Sequence, residues 1–232
     1  GDLLVLTSVE GPEKETGIIM GLDTKTGNIL WKNELKTASG AKNNNYVSRA
    51  APTPIIDAKQ ITVLFEGGNL LALDHQGREL WQRNLVEDFG EIKSRHGLSS
   101  SLEQNNDTVF VWIERENEPY VLAVAKQDGT DRWKVPGLGV TSWSSPRLIP
   151  VDTSAHLVLS GVGKLAGFDP KTGERLWEFD DISGNSTPTP VPVSDGRFLI
   201  GATTGRSGGG AGKAARSNGL VQIGKTEDGT FT

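Results

Sequence analysis

Nine side chains in this 232-residue sequence are of types that could recognise a polar ligand or a peptide: Asn43, Asn44, Asn45, Tyr46, Arg49, Arg95, His96, Trp143 and Asn185. Arginine grips a carboxylate through two parallel N–H donors, an asparagine amide both donates and accepts, and Tyr or Trp offers a flat stacking surface. Tyr46, Arg49, Arg95, His96, Trp143 and Asn185 are therefore the candidate binding residues. A second reading of the same residues is structural, with Arg49 and Arg95 satisfying carbonyls that line a channel and Trp143 packing between repeat units. His96 could in principle act as a base or a metal ligand. The only other histidines, His75 and His156, fall in a turn and near a strand start, so no clustered metal site can be assembled. No residue is assigned a catalytic or metal-binding role.

Other motifs carry less. Gly212-Lys213 invites a phosphate-loop reading, but the position five before Gly212 is Ser207, and Ala214 stands where Ser or Thr is required. The glycine-rich segment 205–219, with Arg206, Lys213 and Arg216, reads instead as a locally basic insertion and a second contact site. EQNNDT at 103–108 reads as a polar turn rather than a calcium loop. With no cysteine there is no thiolate nucleophile, disulfide or cysteine metal site. A net charge of −5 gives no general attraction to nucleic acid or to an anionic membrane surface. No apolar run approaches the length of a membrane span.

The elements that position these residues are read from a repeat. GKLAGFDPKTGERLW at 163–177 combines an alternating strand, an Asp-to-Gly turn and a second strand ending in Trp. Asp169 can accept backbone N–H bonds, and Gly173 can take positive φ. The pattern recurs at 17–31 and 68–81, and more weakly at 119–133, where Asp128, Gly129 and Trp133 remain but Lys126 replaces the turn-opening Asp. Asp23, Gly27 and Trp31, Asp74, Gly77 and Trp81, Gly129 and Trp133, and Asp169, Gly173 and Trp177 are thus structural repeat residues, with each Trp four positions after its Gly. A fifth copy carries Gly229. A period of 44 to 52 residues between the tryptophans suits a four-stranded propeller blade.

The sequence predicts an all-β, single-domain β-propeller spanning 1–232, with about five units at 1–35, 36–85, 86–135, 136–180 and 181–232. The first unit lacks its first strand and the fifth lacks most of its last. An arc of a larger propeller is therefore expected, a small ring with atypical closure being the alternative. The third unit is assigned strands at 98–102, 108–113, 121–125 and 130–135. In such a meander the Asp-Gly turns share one face with the first-to-second-strand turns. The candidate binding residues fall on the other, at the segments 36–51, 86–97, 136–144 and 180–186.

LDTKTGNILW, LDHQGRELW and FDPKTGERLW, preceded by SRAAPTP, SWSSP and GNSTPTP, resemble the repeats of the pyrroloquinoline-quinone-like propeller family. That family includes quinoprotein alcohol dehydrogenases and an outer-membrane β-barrel assembly lipoprotein. The resemblance implies seven or eight blades, tryptophan-mediated docking between blades and a periplasmic or otherwise extracytoplasmic location. It also implies that cofactor-bearing members hold the quinone beside a vicinal cysteine pair, with carboxylate and amide ligands for calcium; the cysteine pair is impossible here. The chain is placed nearer the non-catalytic branch: a scaffold that presents its channel face to a protein or peptide, with no cofactor. The alternatives are a fragment of a quinone- and calcium-dependent dehydrogenase and a carbohydrate-binding or sugar-acting propeller.

Overall fold

The computed structural model describes residues 1–38, 48–94, 97–180, 182, 184–202 and 219–232. They form five antiparallel sheets, each a simple meander. The first contains β1 (Leu3–Glu10), β2 (Thr16–Asp23) and β3 (Ile29–Lys36). The second contains β4 (Ile55–Ile56), β5 (Ile61–Leu64), β6 (Asn69–Leu73) and β7 (Glu79–Asn84), followed by the short helix α1 (Leu85–Phe89). The third contains β8 (Glu103–Gln104), β9 (Thr108–Ile113), β10 (Tyr120–Ala125) and β11 (Asp131–Pro136). The fourth contains β12 (Arg147–Val151), β13 (Ser154–Gly161), β14 (Lys164–Phe168) and β15 (Arg175–Phe179), and the fifth β16 (Val191–Ser194), β17 (Arg197–Ile200) and β18 (Gly219–Gln222).

Burial explains why the middle strands are apolar at nearly every position. β9, TVFVWI, is buried throughout. Its side chains point alternately to opposite faces: Val109, Val111 and Ile113 pack towards the second sheet, and Phe110 and Trp112 towards the fourth. The second, third and fourth sheets thus each lie between two neighbours, and one apolar layer fills each of the four junctions. The last strands alternate exposed and part-buried positions, as on β3 and β11. Strand β12 lies against β8 and β16, the first strands of the flanking sheets, which puts first strands at the convergent inner edge. This is β-propeller architecture.

One correction concerns the third sheet. Its first strand is Glu103–Gln104, inside the expected polar turn, and residues 98–102 precede it without strand structure. Buried Leu98 and Leu102 explain the misassignment, because they anchor this segment to the core without a ladder.

Each of the first four sheets has a register shift in its last strand pair, after Gly21, Ala72, Ala123 and Gly167. Those four residues pair with Trp31, Trp81, Trp133 and Trp177, so the bulge re-aims each tryptophan across its own sheet. The ring lies so close to the third strand that a Cβ on Gly21 or Gly167 would stand 2.2 Å from it.

Candidate functional site: the channel face

The two faces are built differently. On the turn face, Trp31 Nε1 donates to His75 O at 3.0 Å, Trp81 Nε1 to Lys126 O at 2.7 Å, and Trp133 Nε1 to Pro170 O at 3.1 Å. Each acceptor belongs to the Asp-Gly turn of the next sheet. Gly77, Gly129 and Gly173, with φ of 80°, 75° and 76°, present the bare Cα on which the incoming ring rests. A Cβ at any of the three would stand 2.7 Å from that ring. Asp23, Asp74 and Asp169 each accept backbone N–H bonds from their own turns. In the third sheet Ala125 O takes the Gly129 N–H, as Asp23 and Asp169 take those of Gly27 and Gly173. That frees the Lys126 side chain, which reaches Asp57 Oδ2 at 2.6 Å and Asn105 O at 2.7 Å. Burial would raise the Asp57 pKa, but hydrogen bonds from Lys126 Nζ and from the backbone N–H groups of Lys59 and Gln60 outweigh it and hold the group at about 2.

The channel face is organised by buried polar anchors that differ from sheet to sheet. Glu114, just after β9, accepts from Trp112 Nε1 at 2.7 Å and from the backbone N–H groups of Leu138, Gly139 and Val140 at 3.2, 2.7 and 3.1 Å. It collects the loop between the third and fourth sheets on one carboxylate. Burial pushes its pKa up against those four donors. Arg115 gathers carbonyls instead: Phe89, Gly90, Glu91 and Glu118 each accept from its guanidinium. This fixes the end of α1. A cavity of about 210 Å³ opens between these anchors, bordered by Ser94, Glu116, Pro119, Gly139 and Thr141.

Of the candidate residues, Tyr46, Arg95 and His96 lie outside the described residues, as do Asn43, Asn44, Asn45 and residues 205–218 of the insertion. Arg49 is 4% exposed, and its Nη1 donates to Lys14 O at 3.3 Å. It sits near buried Glu66, whose pKa burial raises and the Arg49 charge lowers. Asn185 is fully buried; its amide bonds to Ser160 Oγ, Lys164 O and Gly163 N, each at 3.0 Å. Trp143 is half-buried, and its backbone joins sheets by taking the Ser99 hydroxyl and donating to Ser186 O. Arg49, Trp143 and Asn185 are thus set into the inner loops rather than gathered around one pocket.

Sequence reasoning missed Glu114, Arg115 and a ladder of hydroxyls along the inner edge. Thr53 N donates to Ser101 Oγ, Ser101 N to Ser145 Oγ, and Ser145 N to Thr189 Oγ1, at 2.9, 2.9 and 3.1 Å. The signal was available: a Ser or Thr at intervals of 48, 44 and 44 residues, three of the four standing just before Pro. Among the described residues no three His, Cys, Asp or Glu side chains converge on a point. The sequence also contains no cysteine.

Comparison with known proteins agrees with this geometry. A Pseudomonas putida quinoprotein alcohol dehydrogenase, PedE, is 34% identical over 87 residues, covering 34% of this chain and 14% of the enzyme. The structure of BamB from Moraxella catarrhalis superposes with a TM-score of 0.59 at 16% identity, over 88% of this chain and 57% of that one. The quinohemoprotein alcohol dehydrogenase of Comamonas testosteroni gives 0.54 at 13% identity, over 100% of this chain and 47% of the enzyme. The chain therefore spans about half the length of the solved structures, and its match covers about a seventh of the curated enzyme. The sequence profile described as outer membrane protein assembly factor BamB matches residues 1–117 and 117–202, and the chain belongs to that family.

Proposed function

We propose that this chain is a non-enzymatic propeller module that presents its channel face to a protein or peptide partner outside the cytoplasm. The observation that carries the reading is the division of labour at Glu114 and Arg115. Both side chains are committed to loop backbone, so the face is a pre-ordered surface of fixed loops, with Glu116 and Thr141 left towards solvent. Rigid loops reduce the ordering cost of association. Family membership supports the same reading, since the matching profile is that of an assembly factor.

The test compares the faces. A crosslinkable probe residue introduced at Glu116 or Thr141 should capture the partner in an extracytoplasmic extract, and Glu116→Lys with Thr141→Arg should abolish capture while the melting temperature stays unchanged. Lys25→Glu with Lys171→Glu, on the turn face, should leave it intact. Loss only with the turn-face pair would reverse the assignment. For the dehydrogenase reading, saturable micromolar binding of pyrroloquinoline quinone with calcium would overturn the scaffold proposal.

A further inference from the structure

Trp177 breaks the pattern of its counterparts. Trp31, Trp81 and Trp133 donate to backbone carbonyls of the next sheet, which do not titrate. Trp177 Nε1 donates instead to Nδ1 of His156, on β13 of its own sheet, at 3.0 Å. An imidazole nitrogen accepts only while it carries no proton, so this bond requires His156 to be neutral with its proton on Nε2. Phe231, from the fifth sheet's side, packs perpendicular to the imidazole with the ring centroids 4.4 Å apart. Trp177 also stacks on Phe198 of β17 and belongs to the apolar layer that joins the fourth and fifth sheets, with Ile149, Ile182, Ile200 and Ile223.

We propose that His156 makes the junction between the fourth and fifth sheets an acid-sensitive joint. Protonation at Nδ1 removes the acceptor of Trp177 and places a charge inside the junction, while the three junctions built on carbonyls hold. Acid then frees the indole to turn away from β13 and loosens β17 and β18.

The groups facing His156 set the direction. Asp152, in the turn before β13, and Asp169, in the turn after β14, favour the imidazolium; Lys225, beyond β18, opposes it. Burial opposes it most, so the folded-state pKa lies below the ordinary value of 6.5. For a histidine lowered in this way the unfolded chain binds the extra proton first. The joint is at full strength above the ordinary histidine value and weakens as pH falls from there to the lower folded value.

The test follows the indole N–H resonances of Trp31, Trp81, Trp133 and Trp177 by nuclear magnetic resonance from pH 8 to pH 4.5, with Trp177→Phe assigning the signal. The expected result is a one-proton shift of the Trp177 resonance with a midpoint below about 6.5, while the other three move by less than a line width. In His156→Asn, whose amide oxygen is an acceptor that cannot titrate, the Trp177 resonance should stay flat. A Trp177 signal that does not move, that moves in step with the other three, or that still titrates in His156→Asn overturns the proposal. If that variant does not fold, the ring resonances of His156 in the unaltered chain decide: a shared midpoint supports the joint, and midpoints a full unit apart overturn it.

Discussion

The turn face repeats itself and the channel face does not. On the first, one solution recurs at three of the four junctions: a tryptophan from one sheet, a carbonyl and a bare glycine Cα from the next. On the second, each connection is tied by a different device, a carboxylate at Glu114, a guanidinium at Arg115 and an amide at Asn185. Repetition marks what any two sheets need in order to stack. Variation marks where one sheet has been made unlike the others, and recognition of a single partner requires such unlikeness.

The largest expected effect is on the repeated face. Trp81→Ala removes a buried ring and its bond to Lys126 O, and should lower stability by about 3–5 kcal/mol in urea unfolding; partner capture should fall only as far as the protein unfolds. Next comes a paired glycine test. Gly129→Ala drives a methyl to 2.7 Å from Trp81 at a φ of 75°, whereas Gly27→Ala, at a φ of 72°, meets nothing within 4 Å. Both incur backbone strain of about 1–2 kcal/mol, but Gly129→Ala should cost about 1–3 kcal/mol more from overpacking. Equal midpoints in thermal melting would show that the ring does not bear on the turn. On the variable face, Glu114→Gln turns an N–H donor towards groups that are themselves donors. It should cost about 1–3 kcal/mol and speed amide exchange at residues 138–140. The smallest effect is electrostatic. Asp57 is lowered in the fold from 3.8 to about 2, so the stability it contributes with Lys126 is present above pH 3.8 and lost as pH falls through 2. A shift of that size corresponds to about 2 kcal/mol, and Lys126→Met should flatten this part of the acid unfolding curve.

Much of the scaffold could be read because its signals are local and recur. A glycine four residues before a tryptophan is a property of one hairpin, and four copies fixed the period. The inner strands were harder, because β4 and β8 carry only two residues each and proline or serine surrounds them. What ties them is a hydroxyl on a neighbouring sheet, and strand propensity does not register that. The candidate site was less legible still. Arg49 and Asn185 are of types that bind ligands, yet both are buried, Asn185 because the loop before it and the strand beside it need an interior amide, as its bonds to Lys164 O and Gly163 N show. Glu114 looked like one charge among several in VWIERE. Its partners lie 24 to 26 residues away in a loop that no local pattern connects to it.

The hydroxyl ladder of Thr53, Ser101, Ser145 and Thr189 has a geometric consequence. Short bonds tie the sheets at the narrow inner rim, while bulky indoles separate them on the turn face. Adjacent sheets are therefore held at two radii, by small hydroxyls beside the first strands and by indoles on the last, and the angle between two sheets depends on the size of both contacts. Replacing a rung with a longer side chain, or an indole with a smaller ring, would change that angle.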